Sequence, residues 1–199
     1  MAVHYLQPPL SDDDIRKLRV DDLVYLTGRI FTARDQAHLR IRQHKEAVIP
    51  MEEDLSGSVV FHAGPTIVKD EAGYRLVAIG PTTSIRMEPY SDMMGALGVK
   101  ALVGKGGMGD ETTRAAQAHG MVYLIAAHGC SAIHVSKIKN VLRQHWMEEF
   151  GMPEALWVME CERFGPLIVG IDAHGRNLFE EIKEQARLKI EASYPAAKG

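Results

Sequence analysis

The sequence is poor in cysteine, with only Cys130 and Cys161 among 199 residues. Two thiols cannot staple a disulfide scaffold, and they suit a reducing compartment, which points to the cytoplasm. Nor can they supply the three or four thiolates of an iron–sulfur cluster held by this chain alone. Long apolar runs are missing too: none approaches the ~18 residues of a membrane-spanning helix. The first ten residues have neither the basic start nor the apolar stretch of a secretory leader. Excess charge of one sign is also lacking, with 23 basic against 26 acidic residues and a net charge of −3. That removes the electrostatic footprint of a nucleic-acid binder, but leaves room for a few arginines gathered around a small anion. Low-complexity segments, internal repeats and long linkers are absent, so residues 1–199 are expected to form a single domain.

What is present is a globular composition, 46% hydrophobic and 25% charged, with a repeating local pattern. Ser11 before Asp12, Asp13 and Asp14 reads as a helix cap with an acidic first turn, leading into Ile15 to Leu18. Leu23 to Leu26 reads as a short strand closed by Gly28, and Ala33 to Glu46 as a polar helix. Strands are expected at Ser58 to Phe61 and Thr66 to Lys69, followed by a turn at Asp70–Gly73. Three apolar strands then run into glycine-rich loops. Tyr74 to Ile79 leads to Gly80-Pro81-Thr82-Thr83, Val99 to Val103 to Gly104-Lys105-Gly106-Gly107, and Met121 to Ala126 to His128-Gly129-Cys130-Ser131. Tyr90 to Leu97 and Glu111 to His119 fit crossover helices, and Ala132 to Trp146 another helix. Repeated strand–loop–helix units predict an α/β fold with a parallel-strand core. Further on, Leu156 to Glu160 and Leu167 to Ile171 read as two strands. Asn177 to Ile190 reads as a helix packing on the sheet through Leu178, Ile182, Leu188 and Ile190.

Ligands of open parallel sheets sit beyond the carboxyl ends of the strands. If the three strands are neighbours, Thr82, Thr83, Ser84, Arg86 and Lys105 share one edge, with His128 and Ser131 as further candidates. Arginine's planar fork can hold a carboxylate through two parallel hydrogen bonds, and hydroxyls can donate to its other oxygen. A helix cap is the plainer use of Thr and Ser, but three hydroxyls followed by Arg86 exceed what a cap needs. The 104–109 glycines fit neither the P-loop nor the dinucleotide fingerprint, so ATP or NAD binding is not expected. Arg34 and His38 fall on one helix face, where a carboxylate grip and a proton carrier could meet, against the plain reading of a solvated polar face. His128, Cys130, His134 and Cys161 match no zinc spacing, and metal ligation is not expected. Ser131, Asp172 and His174 lack the nucleophile elbow of a hydrolase triad.

The blocks Gly-Pro-Thr-Thr-Ser-Ile-Arg-Met-Glu (80–88) and Gly-Lys-Gly-Gly-Met-Gly (104–109) together resemble a known family. It is the β subunit of two-subunit class I hydro-lyases, the iron–sulfur fumarate hydratases and L(+)-tartrate dehydratases. Thr-Ala-Arg-Asp-Gln-Ala-His (32–38), Phe-His-Ala-Gly-Pro (61–65), Gly-Met-Pro-Glu-Ala-Leu-Trp-Val (151–158) and Phe-Gly-Pro-Leu-Ile-Val-Gly-Ile-Asp-Ala-His-Gly (164–175) extend the likeness over nearly the whole chain. The resemblance implies a swivelling β/β/α domain that works with a larger α subunit carrying a [4Fe–4S] cluster, this chain binding none itself. It also implies a small dicarboxylate substrate, with malate dehydration to fumarate as the leading reaction and L(+)-tartrate to oxaloacetate as the alternative. Thr82 matches the family's proton acceptor and Thr83, Ser84 and Arg86 its substrate loop. Lys105 matches a substrate-contacting lysine, Arg34 a carboxylate-binding arginine, and His38 a catalytic histidine of tartrate-type members. Glu88 stands where many fumarases have Asp. The assembly, αβ, α2β2 or larger, stays open, homo-oligomerisation included, as does a non-catalytic dicarboxylate-binding module that would act as a lone monomer.

Overall fold

The computed structural model describes residues 1–71 and 73–193. In chain order these are β1 (Val3–Leu6), α1 (Asp12–Arg16), β2 (Leu23–Thr32), α2 (Asp35–Glu46), β3 (Val59–Phe61), β4 (Thr66–Asp70) and β5 (Gly73–Ala78). A 3₁₀ helix (Ser84–Tyr90) precedes α3 (Ser91–Ala96), β6 (Ala101–Gly104), α4 (Asp110–His119), β7 (Val122–Ala126) and α5 (Ser131–Lys137). The chain continues through β8 (Ile138–His145), α6 (Met147–Phe150), β9 (Leu156–Ile171) and α7 (Leu178–Ser193).

The fold is α/β. Strands β2, β3, β6 and β7 are parallel neighbours. Strand β9 runs antiparallel to both β7 and β2 and so closes them into a ring. Strand β1 lies beside the first half of β2, and β8 beside the first half of β9. Side chains alternate across a strand, and here both faces are buried, which is why the strands read as continuous apolar runs. Val59, Phe61, Ala101, Val103, Val122, Leu124, Trp157 and Met159 build one core. Val60, Leu102, Tyr123 and Val158 face the other way and meet Ile41 of α2, Met94 of α3 and Ala115 and Ala116 of α4. Each fully buried Phe61, Leu26 or Ile30 contributes about 1.5–3 kcal/mol of burial. The N-terminal helix starts as expected: Ser11 caps it, with its hydroxyl accepting from the Asp14 N–H and the Asp14 carboxylate accepting from the Ser11 N–H.

Several expectations are corrected. The strand expected at Tyr74 to Ile79 is not in the parallel sheet; it forms β5 of a separate hairpin with β4. Of the turn expected at Asp70–Gly73, Ala72 lies outside the described residues, and Asp70 and Gly73 pair across the hairpin. Gly28 does not close a strand. It sits inside the ten-residue β2, at a shift of register against β9, with φ +127°. The helix expected to reach Trp146 ends at Lys137, because Ile138 onward finds an open strand edge on β9. A tertiary partner overrides local periodicity there. The two late strands are one, Leu156–Ile171, carried through the left-handed Arg163 and Gly165. Finally, Ile182, Leu188 and Ile190 of α7 do not pack on the sheet, being 54%, 52% and 60% exposed; Leu178 is half-buried, and Phe179 packs against the second core. Among the described residues no helix is long and apolar enough to cross a membrane.

Candidate active site

Three parallel strands deliver polar residues at their carboxyl ends. Strand β2 runs into Arg34, β3 into His62 and β6 into Lys105. The segment after the hairpin then folds back over them, which replaces the missing third sheet strand. Pro81 bridges to Ala63, and the Thr82 N–H donates to the His62 carbonyl at 2.7 Å. Thr83 pairs with Lys105 in parallel fashion: the Lys105 N–H donates to the Thr82 carbonyl (3.2 Å) and the Ser84 N–H to the Lys105 carbonyl (3.1 Å). Main-chain bonds thereby lock Thr82, Thr83 and Lys105 into one rim, whereas Ser84, also expected there, is fully buried with its hydroxyl on His62 Nδ1 at 2.9 Å.

Arg86 lies across this rim. Its guanidinium grips the Asp35 carboxylate at 2.9 and 3.3 Å and donates to Thr82 Oγ1 at 3.2 Å. Asp35 opens α2 immediately after Arg34, so Arg34 is drawn to the same place. The Arg34 guanidinium pairs with Glu154 at 3.0 Å, while its buried Nε has no hydrogen-bond partner among the described residues. Gly64 makes room for it: a Cβ there would stand 2.7 Å from Arg34 Nη1. Among the described residues the half-buried Lys105 ammonium has no ionic or hydrogen-bonded partner.

Beneath the rim lies a buried layer. His38 is fully buried and its Nδ1 donates to the Arg34 carbonyl at 2.8 Å. Its ring meets His62 edge-on at 5.3 Å and Tyr90 at 5.4 Å, with the Arg42 guanidinium over the far side of Tyr90. Burial lowers the His38 pKa to about 4, so it is neutral at pH 7. Burial, and the neighbouring His38, also hold His62 well below its ordinary value. Both Nε2 atoms are buried without a hydrogen-bond partner among the described residues. His38 is thus near the rim but behind it, whereas Thr82 is on it.

Other candidates fall elsewhere. Glu88, singled out as a departure, faces α4: its carboxylate accepts from the Gly109, Glu111 and Thr112 N–H groups and caps that helix. Ser131 accepts from the Ile79 N–H (3.2 Å), and His128 is exposed after β7. The zinc candidates are dispersed. Cys161 is buried in the ring with its thiol on the Leu26 carbonyl, and burial pushes it up to about 12. His134 Nε2 donates to the Ala127 carbonyl. Among the described residues no three ligand-type side chains gather as a metal site, and the two cysteines do not fit an iron–sulfur cluster. Asp172 accepts from main-chain N–H groups of residues 20, 174 and 176, while the His174 ring meets Arg19 and the Arg16 carbonyl, so the hydrolase triad does not form.

A cleft of about 690 Å³ is lined by other residues, including Arg29, Arg143, Asp54 and Glu160. Beside it the buried Glu53 carboxylate is gripped by both arms of Arg143 and by His145 at 2.9 Å, with Arg29 at 4.0 Å. Its charges are internally matched, so it offers an anion less than the rim does.

Sequence reasoning missed Asp35 and His62. Asp35 was visible only as the neighbour of Arg34, yet it is the carboxylate that Arg86 holds. His62 gave a usable signal: it is the first residue past β3, as Lys105 is past β6.

Hydroxyls and cations are thus fixed at the carboxyl edge of the parallel strands of an α/β domain. The family described as Fumarase C-terminus matches residues 2–182, and this chain belongs to it. The putative L(+)-tartrate dehydratase subunit beta of Methanocaldococcus jannaschii is 40% identical over 189 residues, covering 94% of this chain and 97% of that protein. The L(+)-tartrate dehydratase subunit beta of Escherichia coli is 41% identical over 180 residues, 90% and 88% of the two chains. A putative fumarate hydratase class I of Geobacillus stearothermophilus is 40% identical over 187 residues, 93% of this chain but 35% of that longer protein.

Proposed function

We propose that this chain is the β subunit of a hydro-lyase that dehydrates a four-carbon 2-hydroxy dicarboxylate. The carrying observation is the rim: Thr82 Oγ1 accepts from Arg86, and its main chain is paired with Lys105. Malate to fumarate is the reaction to which the sequence points. L(+)-tartrate to oxaloacetate is the second reading, favoured by the near full-length match to the tartrate dehydratase β subunits.

Dehydration removes a proton from C3 and hydroxide from C2. On this chain Arg86 and Lys105 bind the carboxylates, and Arg34 closes the grip from β2. Arg86 exchanges Asp35 for a substrate carboxylate of the same geometry. Positive charge beside the C3 carbanion favours its formation. Thr82 takes the C3 proton. A threonine hydroxyl does this only after giving up its own proton, here to solvent at the open rim before substrate binds, and the adjoining cations lower the cost of that alkoxide. His38, neutral and buried, holds the turn at Arg34 and does not touch substrate.

Departure of the C2 hydroxyl calls for a Lewis acid, and we assign this to a [4Fe–4S] cluster on a partner α subunit. That division suits a chain whose cysteines do not form a cluster site and which corresponds to 35% of a longer relative. The test is anaerobic co-production with the cluster-bearing chain and assay of malate and L(+)-tartrate side by side. Turnover of one or both by the pair, and none by this chain alone, is expected. Turnover without a partner overturns the division of labour, and an inactive pair overturns the dehydratase reading.

A further inference from the structure

We propose that His62 is a positioning residue for Thr82 and Lys105, its ring hydrogen-bonded to Ser84 Oγ while its carbonyl holds the Thr82 N–H. The inference rests on the reading of Thr82 and Lys105 as the substrate-facing groups of this chain.

The 2.9 Å contact between His62 Nδ1 and Ser84 Oγ is a buried hydrogen bond. Close by, the Tyr123 hydroxyl donates to the Gly106 carbonyl at 2.8 Å, one residue beyond Lys105. The His62–Ser84 bond ties the end of β3 to the Thr82–Ser84 segment, and the Tyr123–Gly106 bond fixes the exit of β6 beside it. The main chain makes the same connection, since the Thr82 N–H ends on the His62 carbonyl and the His62 N–H on Val103.

The surroundings leave this ring little freedom. It is fully buried, with the His38 ring set edge-on against it. A Cβ at Gly104 would stand 1.8 Å from Ser84 Oγ and 3.3 Å from the His62 Cβ, so the absent side chain is the space that the hydroxyl occupies. A buried hydrogen bond of this kind, held in a low-dielectric interior, stiffens the loops it joins. A small misplacement of a reacting group costs rate rather than binding.

The test compares His62→Leu, which removes the ring nitrogens, with His62→Asn, whose side-chain amide places a polar group near Nδ1. In the full chain, His62→Leu should speed hydrogen exchange at the Thr82 and Lys105 amides by about tenfold or more. In the assembled enzyme it should lower kcat by about 10- to 100-fold with KM within about threefold, and His62→Asn should recover most of the loss. Unchanged exchange and kcat in His62→Leu overturn the proposal. So does an equally folded His62→Asn that is no better than His62→Leu. Should His62→Leu fail to fold, Ser84→Ala breaks the same bond, and unaltered exchange at both amides in that variant overturns it too. If the wild-type pair dehydrates neither diacid, the substrate-facing reading falls, while the exchange measurements still decide whether His62 holds the two loops.

Discussion

Two arginine–carboxylate clusters in this molecule use the same side chains to opposite ends. Around Glu53 the carboxylate is the buried partner: its side chain is 4% exposed, and Arg143, Arg29 and His145 converge on it. At the rim the pair is open, with Arg86 44% and Asp35 39% exposed, and the same arginine reaches Thr82. A buried carboxylate stripped of its partners is costly, so the first cluster is a fastening. An exposed pair is worth only about 0.2–1 kcal/mol, so a substrate carboxylate can displace Asp35 at little cost. The lesson is that the ion pair proposed to meet substrate is the one that is easy to break.

The sharpest way to break this contrast is Thr82→Ala. It should lower kcat of the assembled enzyme by about 10²–10⁴-fold with an unchanged Tm; intact turnover would remove Thr82 as proton acceptor. Next in size is an acid limb in stability beneath the rim. His38 has a folded pKa of about 4 against an ordinary 6.5, so between those values the unfolded chain binds more protons and stability falls as pH drops. The loss across that interval is on the order of 3 kcal/mol, and thermal melts of His38→Asn should show a flatter profile. Glu53→Gln should then cost about 1–3 kcal/mol and leave kcat alone, since the exposed arginines can return to water. Hydrogen bonds from Arg143 hold the Glu53 carboxyl below its ordinary value. Its contribution is therefore present above the ordinary glutamate range and lost as pH falls through the lower folded value, and urea titrations of the variant should lack that acid limb. The smallest effect is at the rim itself. Asp35→Asn frees Arg86, and KM for the diacid should fall by about 1.5- to 5-fold; a rise in KM would mean that Asp35 aims the arginine rather than competing for it.

Much of this was legible in the sequence. The rim was, because strand ends concentrate unusual side chains in short glycine-bounded blocks, and 80–88 and 104–109 carry them in order. The crossover helices were, because the segments between the apolar strands are long enough to hold them. What escaped depended on partners far along the chain. Strand β8 exists because β9 offers it an edge. Strand β5 looked like a core strand because Tyr74 and Leu76 pack against the ring from outside the main sheet. Glu88 showed only as a departure from the family's Asp, not as the carboxylate that α4 needs. The amphipathic pattern of α7 announced an apolar face, but not whether this chain would cover it.

Position 104 keeps two selections apart. A mutant library screened merely for soluble expression should accept alanine there if the Ser84 hydroxyl yields to the incoming methyl group, which would stand 1.8 Å from it. Screened for catalysis, the same library should return glycine, since that displacement breaks the bond between Ser84 and His62. The ratio between the two survivor pools would gauge how far evolution has constrained this codon by chemistry instead of by folding.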